Sequence, residues 1–184
     1  MGYSADSCSL ALTSGASSTC RTASAILLTT GAGVDAVSLG GTKNGAMGAE
    51  AVVFTDAASV EGFEFVRKQG MQLASKMRFI SAQFDALLST DLWRRTAAAA
   101  AAMARRLGEG VAAVDGAELV HPVEANGVFA KLPRAVTDSL MEALPGEHPF
   151  YVWDEDADVV RWMCSWDTKE ADVDALLGAL RAAL

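Results

Sequence analysis

The residues best suited to covalent chemistry surround one lysine, in the run Ser38-Leu39-Gly40-Gly41-Thr42-Lys43-Asn44-Gly45-Ala46-Met47-Gly48. A short apolar run, Val34 to Leu39, leads in, and Ala51 to Phe54 leads out, so the pattern predicts strand, tight turn, strand. Glycines crowd such a turn where the backbone takes conformations a Cβ would block, or approaches something closely. A lysine held beside apolar strands can be partly desolvated, and desolvation favours the uncharged amine that forms Schiff bases. The order G-x-x-x-x-G-K-[ST] of a phosphate-gripping loop is absent. Read from these residues alone, Lys43 is better taken as an ordinary surface lysine in a glycine turn.

Other residues have weaker claims. Arg161 lies in a strand-like apolar run, Val159 to Trp166, where a buried charge needs a partner. Its planar guanidinium matches a carboxylate in two parallel hydrogen bonds. The bland alternative is an edge-strand arginine that faces water or pairs with Asp158 or Glu155. Arg67, Lys68, Lys76 and Arg78 form a basic cluster in an acidic chain, and such runs usually form a solvated face, here with Glu61, Glu64 or Asp85 as partners. His121 and His148 are the two histidines, and both read as structural. Asn126 suits a turn and could also line a cleft. Trp93, Trp153, Trp162 and Trp166 read as core or subunit contacts. Cys164 reads as a small buried residue, not a nucleophile.

Gly40 to Phe54, Gly-Gly-Thr-Lys-Asn-Gly-Ala-Met-Gly-Ala-Glu-Ala-Val-Val-Phe, resembles the cofactor-lysine segment of the low-specificity L-threonine aldolases. The likeness continues through Phe63-Glu64-Phe65-Val66-Arg67-Lys68, Leu73 to Phe79, Asp91-Leu92-Trp93, His121 to Asn126 and Arg161 to Trp166. It covers about residues 31–184. The resemblance implies a pyridoxal-phosphate enzyme of the aspartate-aminotransferase fold type. It also implies that Lys43 bears the cofactor as a Schiff base, with Thr42 either bonding the cofactor phosphate or merely capping the turn. Arg78 falls where the family has an arginine that reaches the phosphate across a subunit interface. Arg161 falls where the family grips the amino-acid carboxylate. The family's ring-stacking histidine lies upstream of the matched region, so neither His121 nor His148 inherits that role.

Composition limits the alternatives. A chain of 184 residues fits one domain or a large part of a bigger one. The apolar fraction of 51% is ample for a core. A net charge of −8 and a pI near 4.7 argue against broad nucleic-acid binding or docking on anionic membranes. Cys8, Cys20 and Cys164 give neither metal spacing nor a disulfide framework, so a reducing cytoplasm is the default and no metal is expected. No signal peptide is apparent. The run Ala97 to Ala104, flanked by Arg94, Arg95, Arg105 and Arg106, is too short to span a bilayer and reads as the middle of a long helix.

The elements that must position these residues follow from periodicity. Helices are expected at Ser59–Gly70, Leu73–Leu88, Asp91–Gly108, Arg134–Leu144 and Thr168–Leu184. Gly108 and Gly110 are expected to end the third, and Asp167 with Glu170 to form a capping box opening the last. Strands are expected at Glu118–Val123, Gly127–Leu132, Pro149–Trp153 and Asp158–Cys164. The fold class is α/β: part of the large domain of a pyridoxal-phosphate fold-type-I enzyme plus a small C-terminal α/β domain. Residues 1–30 read as an atypical leader, 31–88 as a remnant of the cofactor-binding domain, and 89–184 as the small domain. Residues 1–30 lack the family's Asp-Gly-Ala-Arg strand end. The chain therefore resembles a C-terminal portion behind an unrelated start.

The reaction implied by the resemblance is reversible cleavage of threonine or allo-threonine to glycine and acetaldehyde, with weak or no activity expected of this chain alone. A homo-oligomer, dimer or tetramer, is also implied. Two competitors stand beside it: another amino-acid lyase of the same fold, and a non-catalytic fragment that associates with other subunits.

Overall fold

The computed structural model describes residues 31, 33–144 and 150–184. The leader and His148 lie outside these residues. The chain divides after Arg95 into two compact units.

In the N-terminal unit the lysine turn joins an antiparallel hairpin of β1 (Ala36–Gly40) and β2 (Glu50–Phe54). Val37 faces Val53 and Leu39 faces Ala51 in register. Val37 and Leu39 are half-buried while Ala36, Ser38 and Gly40 are exposed, the alternation that a strand with one covered face requires. Phe54 meets Phe63 edge-on at 4.8 Å, which ties the hairpin to helix α1 (Phe63–Gln69). That helix is shorter than the expected Ser59–Gly70. Gly62 takes φ 77°, a left-handed conformation that a right-handed helix cannot pass through. A 3-10 turn, Ala57–Val60, occupies the residues before it.

Helix α2 (Met77–Leu88) begins later than the expected Leu73. Met71 has φ 55°, and Leu73 is 43% exposed, so no cover rewards an extra helical turn there. The apolar stripe itself is present: Met77, Ile80 and Phe84 are half-buried and Leu87 is buried.

Helix α3 (Leu92–Ala112) starts at the edge of the first unit and continues through the second. The Thr90 hydroxyl accepts from Leu92 N at 3.1 Å at its start. Ala100, Ala104, Leu107, Gly108 and Val111 are its buried face. The expectation that Gly108 and Gly110 end this helix is wrong, because both lie inside it. They are contact glycines: a Cβ on Gly108 would lie 2.6 Å from Val123 Cγ2, and one on Gly110 would lie 2.3 Å from Leu177 Cδ1.

The C-terminal unit carries an antiparallel sheet of β3 (Glu118–Leu119), β4 (Gly127–Lys131), β5 (Tyr151–Asp154) and β6 (Val159–Met163), in spatial order β3-β4-β6-β5. Strand β3 is much shorter than the expected Glu118–Val123. Val120 N still donates to Phe129 O at 3.0 Å, but Pro122 has no N–H to continue the ladder. Helix α4 (Arg134–Ala143) follows β4 in the chain, and helix α5 (Glu170–Ala183) closes the unit.

Val128 and Ala130 of β4 and Val160 and Trp162 of β6 are buried. They share one core with Leu107 and Val111 of α3, Val136 and Leu140 of α4, and Val173, Leu176, Leu177 and Leu180 of α5. Burying each such aliphatic side chain contributes about 1.5–3 kcal/mol. Phe129 and Arg161 alternate with these core residues and so occupy the other face of the sheet. The capping group of α5 is Asp172, not Glu170: its Oδ2 accepts from Lys169 N at 2.8 Å. The Thr168 hydroxyl, one residue earlier, accepts from Ser165 N and lies outside the helix.

Candidate active site

Lys43 sits in a single 3-10 turn, Thr42–Asn44, between Gly41 and Gly45. Gly45 takes φ 99°, a region that strongly favours glycine. Backbone bonds fasten the turn on both sides: Gly41 N to Ala49 O at 2.7 Å, Asn44 N to Gly41 O at 3.0 Å, and Gly45 N to Thr42 O at 3.2 Å. Gly41 is buried, and a Cβ there would lie 3.1 Å from Ala46 Cβ and 3.3 Å from both Ala49 O and Phe84 Cε1. The turn is also tied to other parts of its unit. Asn44 Nδ2 donates to Trp93 O at 3.0 Å, and Met47 N donates to the Gln83 side-chain carbonyl.

The result is a fixed turn with the lysine on its outside. Lys43 and Thr42 are both exposed, so the partial desolvation expected of the lysine is not found among the described residues. The N-cap position is Gly41, so no side chain caps the turn; the Thr42 backbone carbonyl closes it by accepting from Gly45 N.

Arg78, in the first turn of α2, is exposed and lies with its guanidinium carbon 4.9 Å from the Phe79 ring centroid. Among the described residues it forms no ion pair with Glu61, Glu64 or Asp85. Arg67, on α1, has a buried Nε without a hydrogen-bond partner.

In the C-terminal unit Arg161 occupies the middle of β6, paired in register with Phe129 on one side and Tyr151 on the other. It is half-buried, and its Nε is buried without a hydrogen-bond partner. Among the described residues neither Asp158 nor Glu155 pairs with it. Its guanidinium carbon lies 4.6 Å from the centre of the Trp153 ring, and Trp153 meets Phe129 edge-on at 5.4 Å. His121 is exposed and continues this aromatic row against Phe129 at 5.5 Å.

Asn126 is committed to structure: Nδ2 donates to Cys164 O at 2.8 Å, and its own carbonyl accepts from Cys164 N at 2.8 Å. Cys164 is buried, and burial pushes its thiol up to about 11, which removes it as a nucleophile near neutrality. Trp162 is a core residue, whereas Trp153 and Trp166 are 56% and 43% exposed.

Thus Lys43, Thr42 and Arg78 belong to the first unit and Arg161 to the second. Two shallow concavities of the second unit, one including Lys131 and Asp158 and the other Arg105 and Val123, contain none of the four. The sequence reading missed the packing of Trp153 on Arg161. The strand alternation that sets Tyr151 and Trp153 two residues apart was the available signal. Among the described residues no cluster of three potential metal ligands occurs, and no helix is long and apolar enough to cross a membrane.

No protein-family profile matches the chain. Two curated relatives do. One, a low specificity L-threonine aldolase from Pseudomonas sp. (strain NCIMB 10558), is 42% identical over 157 residues, which is 85% of this chain and 44% of that protein. A second of the same description, from Pseudomonas aeruginosa, is 45% identical over 74% of this chain and 38% of its own length. Among solved structures, the threonine aldolase of Leishmania major superposes with a TM-score of 0.71 at 25% identity, covering 82% of this chain and 44% of that one. The Sphingomonas wittichii serine palmitoyltransferase superposes with a TM-score of 0.59 at 17% identity, a likeness of fold. These neighbours are fold-type-I enzymes, and the mixed helices and sheets of this chain are a partial α/β portion of that fold. A match of 157 residues in a chain of 184 necessarily takes in the lysine turn. The chain is therefore a homologue of the low-specificity L-threonine aldolases that spans under half the length of the relatives it matches.

Proposed function

We propose that this chain is part of a pyridoxal-phosphate-dependent carbon–carbon lyase that cleaves β-hydroxy-α-amino acids, threonine or allo-threonine, to glycine and acetaldehyde. The observation that carries this reading is the Lys43 turn, held by its backbone and by Asn44, within a sequence 42% identical to a threonine aldolase. The donor set fits the cofactor. Lys43 offers an exposed primary amine that no carboxylate engages among the described residues, and it sits in a turn flanked by Gly41 and Gly45. Lys43 would hold the cofactor through that amine, and Thr42 and Arg78 would contact its phosphate. When bound, pyridoxal phosphate supplies an electron sink for the carbanion left at Cα.

The residues of the chain do the rest of the work assigned to them. The fixed turn holds the Lys43 backbone in one place, so only side-chain freedom is lost in bringing its amine to the reacting carbon. The same amine would also be able to carry a proton at Cα. Arg161, with no internal carboxylate partner among the described residues, would fix the substrate's carboxylate by two parallel hydrogen bonds. Residues 31–88 would serve the cofactor and 89–184 the substrate carboxylate. Weak or no turnover is expected of the 184-residue chain alone, because among the described residues Lys43 is open to water, which a reactive carbanion does not tolerate. A cytoplasmic dimer or tetramer completes the proposal.

The test is incubation of the full chain with pyridoxal phosphate, reduction with borohydride and peptide mapping. Modification concentrated on Lys43, with a visible band lost in Lys43→Ala, is the expected result. Modification spread evenly over Lys43, Lys68, Lys76, Lys131 and Lys169 would show that no cofactor site forms.

A second reading, a non-catalytic chain that associates with other subunits, is favoured by one observation. Met47 and Met71 are each 88% exposed and Phe65, Val66 and Phe79 each at least 60%, and exposed apolar groups mark an association surface where they are contiguous. Light scattering as a function of concentration separates a self-associating chain from a monomer.

A further inference from the structure

We propose that Trp153 is a positioning residue for Arg161: its indole lies across the guanidinium and sets the plane in which that group receives a carboxylate. The proposal rests on the reading of Arg161 as the carboxylate-binding group, and it adds a residue to that site.

The argument begins with the sheet. Val152 of β5 pairs with Val160 and Asp154 pairs with Val159, so the register slips between them and Trp153 falls at the irregularity. Such a bulge bends the strand and re-aims the side chain it carries. Trp153 is on β5, an edge strand, and Phe129 is on β4, with β6 between them. Yet the two rings meet edge-on at 5.4 Å. The indole therefore reaches across β6, and Arg161 is the β6 residue in register with Phe129. The guanidinium carbon lies 4.6 Å from the indole centre, within the range of a cation–π contact.

Stacking uses the face of a guanidinium and leaves its edge donors for hydrogen bonds in the plane. No carboxylate among the described residues takes those donors, and the buried Nε has no acceptor. An uncompensated charge held by an aromatic face is arranged to receive an anion from outside. The 56% exposure of Trp153 is also unusual for a large indole with no other evident task. Its packing on Arg161 and Phe129 gives it one. His121, the next member of the row, braces Phe129 at 5.5 Å.

The experiment uses the full chain, with sodium acetate as the carboxylate probe and acetamide as the uncharged control. The Nε–Hε resonance of Arg161 is assigned by its loss in Arg161→Lys and followed during titration. Trp153→Leu removes the aromatic face, and Trp153→Phe keeps one. The expected result is saturable movement of that resonance with acetate and not acetamide. Affinity should fall about two- to fivefold in Trp153→Leu, the range an incompletely buried cation–π contact supports, and should be largely restored in Trp153→Phe. A general structural role for Trp153 would not give this rescue together with an unchanged unfolding midpoint. Equal affinity in wild type and Trp153→Leu would overturn the proposal and leave Arg161 as the carboxylate group. No acetate response at Arg161 in the wild type would overturn the reading of Arg161, and the proposal with it.

Discussion

Replacing Gly110 by alanine sets two effects against each other inside one helix. Alanine is favoured over glycine in a helix interior by about 0.8–1.0 kcal/mol. The new Cβ, however, would lie 2.3 Å from Leu177 Cδ1, 2.8 Å from Cδ2 and 3.1 Å from Cγ. Ordinary carbon contacts are about 3.5–4.0 Å. All three contacts belong to one branched end, so turning a single methyl aside does not relieve them. Leu177 is only 5% exposed and packs in the core, so its movement disturbs its neighbours. Overpacking of this kind costs about 1–3 kcal/mol. The clash is therefore expected to offset the propensity gain and leave a net loss of up to about 2 kcal/mol. Gly178, on α5, is the internal control. It is exposed, and an added Cβ there would meet nothing within 4 Å. Gly178→Ala should stabilise by about 0.8–1.0 kcal/mol from propensity alone. Urea titrations of both variants, with unchanged slopes, would measure the difference. Equal stabilisation by the two alanines would refute the assignment of Gly110 as a contact residue between α3 and α5.

Three further outcomes follow from single side chains. Asn126→Ala removes the 2.8 Å bond to Cys164 O and should lower stability by about 1 kcal/mol in the same titration, whereas no loss would mean that water replaces the amide. Cys164 should resist iodoacetamide at pH 8 in the folded chain and react on unfolding, as read by peptide mapping. Because burial raises its thiol to about 11 while an unfolded thiol ionises near about 8.5, the unfolded chain binds fewer protons between those values. The Cys164 contribution to stability is therefore constant below about 8.5 and declines as pH rises toward 11, and Cys164→Ala should flatten that part of the stability profile. Lys43→Arg keeps the charge but not the Schiff-base chemistry, so it should lose the borohydride-trapped adduct without shifting the unfolding midpoint. A destabilised Lys43→Arg would assign the lysine a structural role that its exposure argues against.

The sequence by itself determined the local periods and the chemical inventory. Strong signals lie within short stretches: alternating Val37 and Leu39, the stripe Met77-Ile80-Phe84-Leu87, and the spacing of Val173, Leu176, Leu177 and Leu180. Each pattern uses one repeat length, so helix or strand is readable without knowing what covers it. The likeness carried by Gly40 to Phe54 likewise lies in consecutive residues, and the comparisons bear out the threonine-aldolase resemblance.

What sequence reasoning misplaced depends on residues far apart in the chain. Gly108 and Gly110 have the composition of a helix stop, but Val123 and Leu177 decide that they are contacts within a continuing helix. The start of α2 depends on cover for Leu73 that is not there. The open position of Lys43 depends on a turn closed by Ala49 and fastened by Trp93, and no spacing of residues encodes that. Most of all, the partner of Arg161 was sought among the acids nearest in sequence. The register slip in β5 brings it an indole instead. Periodicity says which face of a strand a residue occupies; only the stacking of one strand beside another says which side chain it meets there.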